Sequence, residues 1–166
     1  MDRPYVLISA CLLGEACRYD GARGRLPGAG KSTLDTLRSL ARLVPVCPEV
    51  TGGLSTPRLP SERRGERVVR SDGADVTGAY RRGAEEAVRL CRQHGIRLAL
   101  LKARSPSCGL GRIYDGHFSG TLTDGDGVTV EALLAEGVEV YTEADVGALI
   151  KNCARQKKCL AICMRM

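Results

Sequence analysis

Short apolar runs alternate with amphipathic stretches along this chain, and that alternation limits the fold more than any other feature. "PYVLIS" (4–9), "VPVC" (44–47), "IRLALLK" (96–102) and "VEVYT" (138–142) read as strands. Between them, "STLDTLRSLARL" places Leu34, Leu37, Leu40 and Ala41 at helical spacing, with Ser32 or Thr33 as N-cap. "TGAYRRGAEEAVRLCRQHG" is an amphipathic helix with Tyr80, Ala84, Ala87, Val88 and Cys91 inward and Gly95 as its C-terminal cap. "VTVEALLAEG" predicts a short helix capped by Thr129 and closed by Gly137, and "EADVGALIKNC" opens a last helix. Strands that alternate with helices predict an α/β fold: a single Rossmann-like domain, mainly parallel sheet with helices on both faces.

The 166 residues suit one domain with one core, and no linker divides them. We expect the α/β domain to span 1–150, followed by a C-terminal tail, 151–166, with no partner pattern. Residues 51–71 lack a clear period and read as a long functional loop. Residues 103–127 read as another, with a small hairpin around Ile113 to Phe118. The net charge of +6 favours an anionic partner such as a phosphate. Trp is absent and aromatics are 4%, so base-stacking platforms are scarce and nucleic acid is not expected as a partner. No apolar stretch approaches the roughly 18 residues of a membrane span. The expectation is a cytoplasmic monomer that acts on a small molecule.

Eight cysteines without a secretory signal point to metal or redox chemistry rather than a disulfide framework. Their placement is informative. Cys11 follows the first strand, Cys47 ends the second, and Cys108 lies shortly past the third. In a parallel α/β sheet the strand carboxyl ends share one edge, where ligands bind. Three cysteines remote in sequence therefore meet. One strand-end cysteine alone would read as a small apolar filler. Three at equivalent ends read as a metal centre that leaves one coordination position open. Cys91 reads as core. Cys17 is open between a fourth ligand, a spare thiol and packing. Cys153, Cys159 and Cys163 read as incidental.

Two motifs are decoys. "GRLPGAGKST" lacks the first glycine of a phosphate loop, since position 25 is arginine, and no strand precedes it. "DGDG" (124–127) is too short for a calcium loop.

"SACLLGEACRYDG", "VPVCPEVTGGLSTPR", "GADVTGAY", "ALLKARSPSCG" and "IYDGHFSG", in this order, resemble the thiouracil desulfidase family from about Ile8 to about Tyr141. The resemblance implies a [4Fe-4S] cluster held by Cys11, Cys47 and Cys108. It implies removal of sulfur from a thiolated uracil, with C=S becoming C=O and sulfide released. It also implies an acid and a serine beside the cluster, carried here to Glu49 and Ser105, with Ser107 as the lesser choice.

The chemistry is coherent with those parts. An open iron is a soft Lewis acid and thiocarbonyl sulfur a soft ligand. The departing sulfur can stay on the iron, so no net redox change is needed. Glu49, two residues from a ligand, could take the proton of an attacking water. Ser105 or Ser107 could orient a thiolated pyrimidine base or nucleotide, and Arg58, Lys102 or Arg104 could receive a phosphate. Two rivals use the same thiols: a zinc-dependent hydrolase, or a non-catalytic iron–sulfur or redox-sensing module completed by Cys17.

Overall fold

The computed structural model describes residues 3–27 and 31–163. Gly28, Ala29 and Gly30 of the decoy "GRLPGAGKST" lie outside the described residues. Residues 22–26, just before them, have no regular structure, so no strand leads into that motif.

Four parallel strands form the central sheet: β1 (Tyr5–Ser9), β2 (Arg42–Val46), β5 (Leu98–Leu101) and β8 (Glu139–Thr142), in the order β2-β1-β5-β8. The chain moves first to one side of β1 and later to the other, so the strand order reverses between β1 and β5. That is where an open parallel sheet leaves a crevice at its carboxyl edge. β1 and β5 are central and buried on both faces, which explains their unbroken apolar sequence.

Side-chain alternation sorts the core into two layers. Val6, Ile8, Leu98 and Leu100 pack beneath α1 (Lys31–Leu40) and α5 (Val146–Cys163), against Leu37 and Leu149. Leu7, Val46, Ala99 and Leu101 pack beneath α3 (Thr77–His94) and α4 (Val128–Ala135), against Ala87, Val130 and Leu133. Helices on both faces of a parallel sheet are what the strand–helix alternation predicts.

Several local expectations change. Ser32 and Thr33 fall inside α1 rather than capping it. Thr129 is not the cap of α4, which starts after Gly127. Its hydroxyl instead lies 2.8 Å from that of Ser107, and both residues are fully buried. Residues 51–71 include an antiparallel hairpin, β3 (Ser61–Arg64) with β4 (Arg67–Arg70). A second hairpin, β6 (Arg112–Tyr114) with β7 (Leu122–Asp124), lies near the expected position. The segment after 150 continues α5, with Cys153 buried in the core. Gly95 does close α3, in the left-handed conformation. Among the described residues no helix is long and apolar enough to cross a membrane.

The short helix α2 (Pro48–Thr51) fixes the site's position. Pro48 cannot donate to the sheet ladder and its ring suits the first helical position, so β2 stops and Cys47 becomes the N-cap. α2 lies directly on α3, because a Cβ at Gly83 would come within 1.9 Å of the Pro48 carbonyl oxygen. Gly83→Ala is therefore expected to cost about 3 kcal/mol through overpacking. Thermal unfolding should show a Tm lowered by about 6–12 °C.

Burial pushes the core thiols of Cys91 and Cys153 up to about 11 from an ordinary 9.0. These groups stay protonated in the folded chain at a pH where the unfolded chain has lost the proton. Their stabilising contribution is thus complete below pH 9 and is lost as pH rises through about 11. Denaturant unfolding across that window should show stability falling with pH, less steeply in Cys91→Ala.

Candidate metal centre

The carboxyl edge of the sheet gathers the expected cysteines. Cys11 sits in a 3-10 turn, Ala10–Leu13, that β1 enters directly. A Cβ at Gly24 would press on its carbonyl at 3.0 Å and its sulfur at 3.4 Å, so the loop after the turn closes tightly over it. Cys47 caps α2 and is half-buried, and Cys108 is buried past β5. The three thiols lie within one another's electrostatic reach. Burial first, and then the Cys47 charge, raise Cys11 to about 11. Burial raises Cys108 further still, with Glu49, Cys11 and Cys47 adding to the effect.

Cys17 belongs to the same group. Its thiol meets that of Cys47, and burial together with Cys47 pushes it up to about 12. The Cys47 sulfur also lies 3.7 Å from the Cys17 carbonyl oxygen. Cys153 shares a core layer with Cys11 and Cys17, and Cys91 with Cys108, but no cysteine of the centre is among the groups that act on either thiol.

A carboxylate stands beside the thiols. Glu49 lies in the first turn of α2, and its Oε2 accepts Nε of Arg58 at 2.8 Å and Nη2 at 2.6 Å. Both side chains are largely buried, Arg58 at 7% exposed and Glu49 at 15%. Glu49 Oε1 faces the Ser105 hydroxyl at 3.5 Å, a long contact. The Ser105 oxygen accepts the backbone N–H groups of Ser107 and Cys108, each at 3.1 Å, so its own proton remains available to donate. Arg104, just before it, holds φ +66°, a conformation a non-glycine residue rarely adopts.

Not every expected residue joins this group. Ser107 is buried away with Thr129, so its hydroxyl is committed to holding the loop against α4. The Arg58 guanidinium is taken up by partners within the chain. Nη1 donates to the Ser55 carbonyl and the Thr56 hydroxyl, Nη2 to the Cys17 carbonyl and Glu49, and Nε to Glu49. That engages all the N–H groups a guanidinium has. Lys102 is paired with Glu143.

Two residues escaped the sequence reading. Tyr80, expected only as core, brings its hydroxyl to Glu49 and Ser61, and burial keeps the phenol protonated far above its usual range. The Ser9 hydroxyl lies beside the Cys108 thiol, where it counters part of the effect of burial, and accepts the Lys102 backbone N–H at 2.9 Å. A buried phenol or hydroxyl needs a partner, and that was the one available signal.

Among the described residues, no three Cys, His, Asp or Glu side chains stand close enough to hold a single metal ion. Sulfurs on one tetrahedral ion lie about 3.8 Å apart, given metal–sulfur bonds of about 2.3 Å. A cluster takes each thiolate on a different iron, so its sulfurs stand farther apart. The all-thiol donor set is the usual one for iron–sulfur clusters, and cationic iron would offset both the burial and the mutual repulsion that raise these thiols. The donor set present fits a cluster.

Fold and site together define an α/β domain with a thiol-lined centre at the carboxyl edge of its sheet. The profile of the 2-thiouracil desulfurase family matches residues 6–145, and the chain belongs to that family. It is 35% identical over 155 residues to the uncharacterized protein YbbK of Bacillus subtilis (strain 168), covering 87% of this chain and 99% of that one. Among solved structures it resembles the [4Fe-4S]-dependent thiouracil desulfidase TudS at 46% identity. The TM-score is 0.85, with 92% of this chain and 99% of that chain covered. The family resemblance in the five motifs is borne out.

Proposed function

We propose that this protein is a [4Fe-4S]-dependent thiouracil desulfidase, converting the C=S of a thiolated uracil to C=O with release of sulfide. Cys11, Cys47 and Cys108 would hold the cluster. One observation carries the reading: three cysteines from three strand ends gather beside the Glu49–Arg58 pair. Family membership and the likeness to TudS support it.

When bound, the cluster supplies an open iron that draws electron density from the thiocarbonyl and makes the ring carbon electrophilic. The chain's own residues supply the rest. Glu49 accepts a proton from the attacking water through Oε1, the oxygen that Arg58 leaves free. Ser105, whose oxygen is held by two backbone N–H groups, donates its proton to a carbonyl oxygen of the pyrimidine and fixes the ring. Tyr80 and Arg58 close the inner side of Glu49. These residues all lie within 1–150, while α5 beyond residue 150 contributes packing through Cys153.

The test is anaerobic reconstitution with iron and sulfide, followed by 2-thiouracil and 4-thiouracil. Stoichiometric uracil and sulfide are expected, with none from protein loaded with zinc. A fully loaded cluster that leaves both substrates unchanged would defeat the proposal.

A further inference from the structure

Arg58 is held more firmly than any surface arginine needs to be. Its guanidinium joins three separate segments: the loop after β1 through the Cys17 carbonyl, α2 through Glu49, and residues 55–56 through Ser55 and Thr56. Its backbone N–H is also fixed, donating to the Tyr19 carbonyl at 2.8 Å. The contact with Glu49 is asymmetric. A side-on arginine pair would engage both carboxylate oxygens. Here Nε and Nη2 both converge on Oε2, and neither engages Oε1, which faces the Ser105 hydroxyl at 3.5 Å.

We propose that Arg58 is a positioning residue that divides the roles of the two Glu49 oxygens: it anchors Oε2, presents Oε1 alone as proton acceptor, and keeps the carboxylate from turning onto the open iron. This rests on the desulfidase reading above. A carboxylate two residues from a cysteine of the centre is within reach of becoming a ligand itself. Such a ligand would occupy the position the substrate sulfur needs. An arginine with no spare N–H cannot follow the carboxylate, so the anchor is rigid.

The test compares anaerobically loaded wild type, Arg58→Gln, Arg58→Lys and the double variant Arg58→Gln/Glu49→Gln. Iron content, steady-state kinetics on 2-thiouracil and the EPR spectrum of the reduced cluster are measured for each. Arg58→Gln is expected to lower kcat by about 100-fold, the scale of a misplaced catalytic group. KM should stay within about threefold, since Arg58 does not touch substrate. Its EPR spectrum should change, and should return to the wild-type form in the double variant, where a weakly ligating amide replaces the carboxylate. Arg58→Lys should retain more kcat than Arg58→Gln. A loss carried by KM, an unchanged kcat, or an EPR change that persists in the double variant would each overturn the assignment. Removing one member of a buried ion pair can unfold a protein. If Arg58→Gln does not fold, Arg58→Lys and Arg58→Lys/Glu49→Gln decide by the same readouts, and a wild-type kcat and spectrum in Arg58→Lys overturn it. Loaded wild type inert toward 2-thiouracil would instead defeat the desulfidase reading itself.

Discussion

Cys47→Ser is expected to yield a folded chain that keeps almost no cluster and turns over thiouracil more than about 100-fold more slowly, since even residues one shell beyond a metal cost 10–100-fold. The alcohol is a far weaker ligand for iron than a thiolate. Its cost to the fold should be small. Cys47 is only half-buried, its backbone already caps α2, and serine is a favoured N-cap residue. Iron content, visible absorption and circular dichroism separate loss of cluster from loss of fold. Cys11→Ser and Cys108→Ser should behave alike toward iron. Cys91→Ala should retain the cluster, because the charges beside Cys91 are Glu136 and Arg97 rather than the cysteines of the centre. Cys17→Ser discriminates among the roles left open by sequence: retention of the cluster with full turnover assigns Cys17 to packing rather than to a fourth ligand.

The second large effect is on chemistry without loss of metal. Glu49→Gln is expected to lower kcat by about 10²–10⁴, the usual contribution of a positioned base. The amide fills the same space, so cluster content should match wild type and KM should move little. A Glu49→Gln variant with wild-type kcat would remove Glu49 from the reaction. One that lost its iron would make Glu49 a structural or ligating group.

Much of this site was legible in the sequence because strand order does the gathering. A parallel sheet places the ends of β1, β2 and β5 on one edge whatever the sequence between them. Cys11, Cys47 and Cys108 could thus be brought together without any spacing motif. The helices were legible where one face is apolar over several turns, as in α3. The β3–β4 hairpin was hidden because only Glu62 and Val68 of its residues are buried, which leaves no alternation to see. The Glu62 carboxylate accepts the N–H groups of Gly116 and Phe118, both at 2.9 Å, a contact no periodicity encodes. The partners of Arg58 were hidden for the same reason. As a loop arginine in a basic chain it reads as a phosphate contact, and its true partners stand 2 to 41 residues away. Thr129 looked like a cap by type and position, but its partner, Ser107, is 22 residues distant. Local propensity locates elements, whereas the polar contacts that complete the site depend on tertiary packing.

The most direct measurement of the central claim is Mössbauer spectroscopy of the anaerobically reconstituted protein, with iron and sulfide counted per chain. About four iron and about four sulfide per chain are expected, with one iron distinct from the rest. Only that iron's signal should change when 2-thiouracil is added. A single tightly bound metal ion per chain, or a cluster in which no iron responds to the substrate, would contradict the claim.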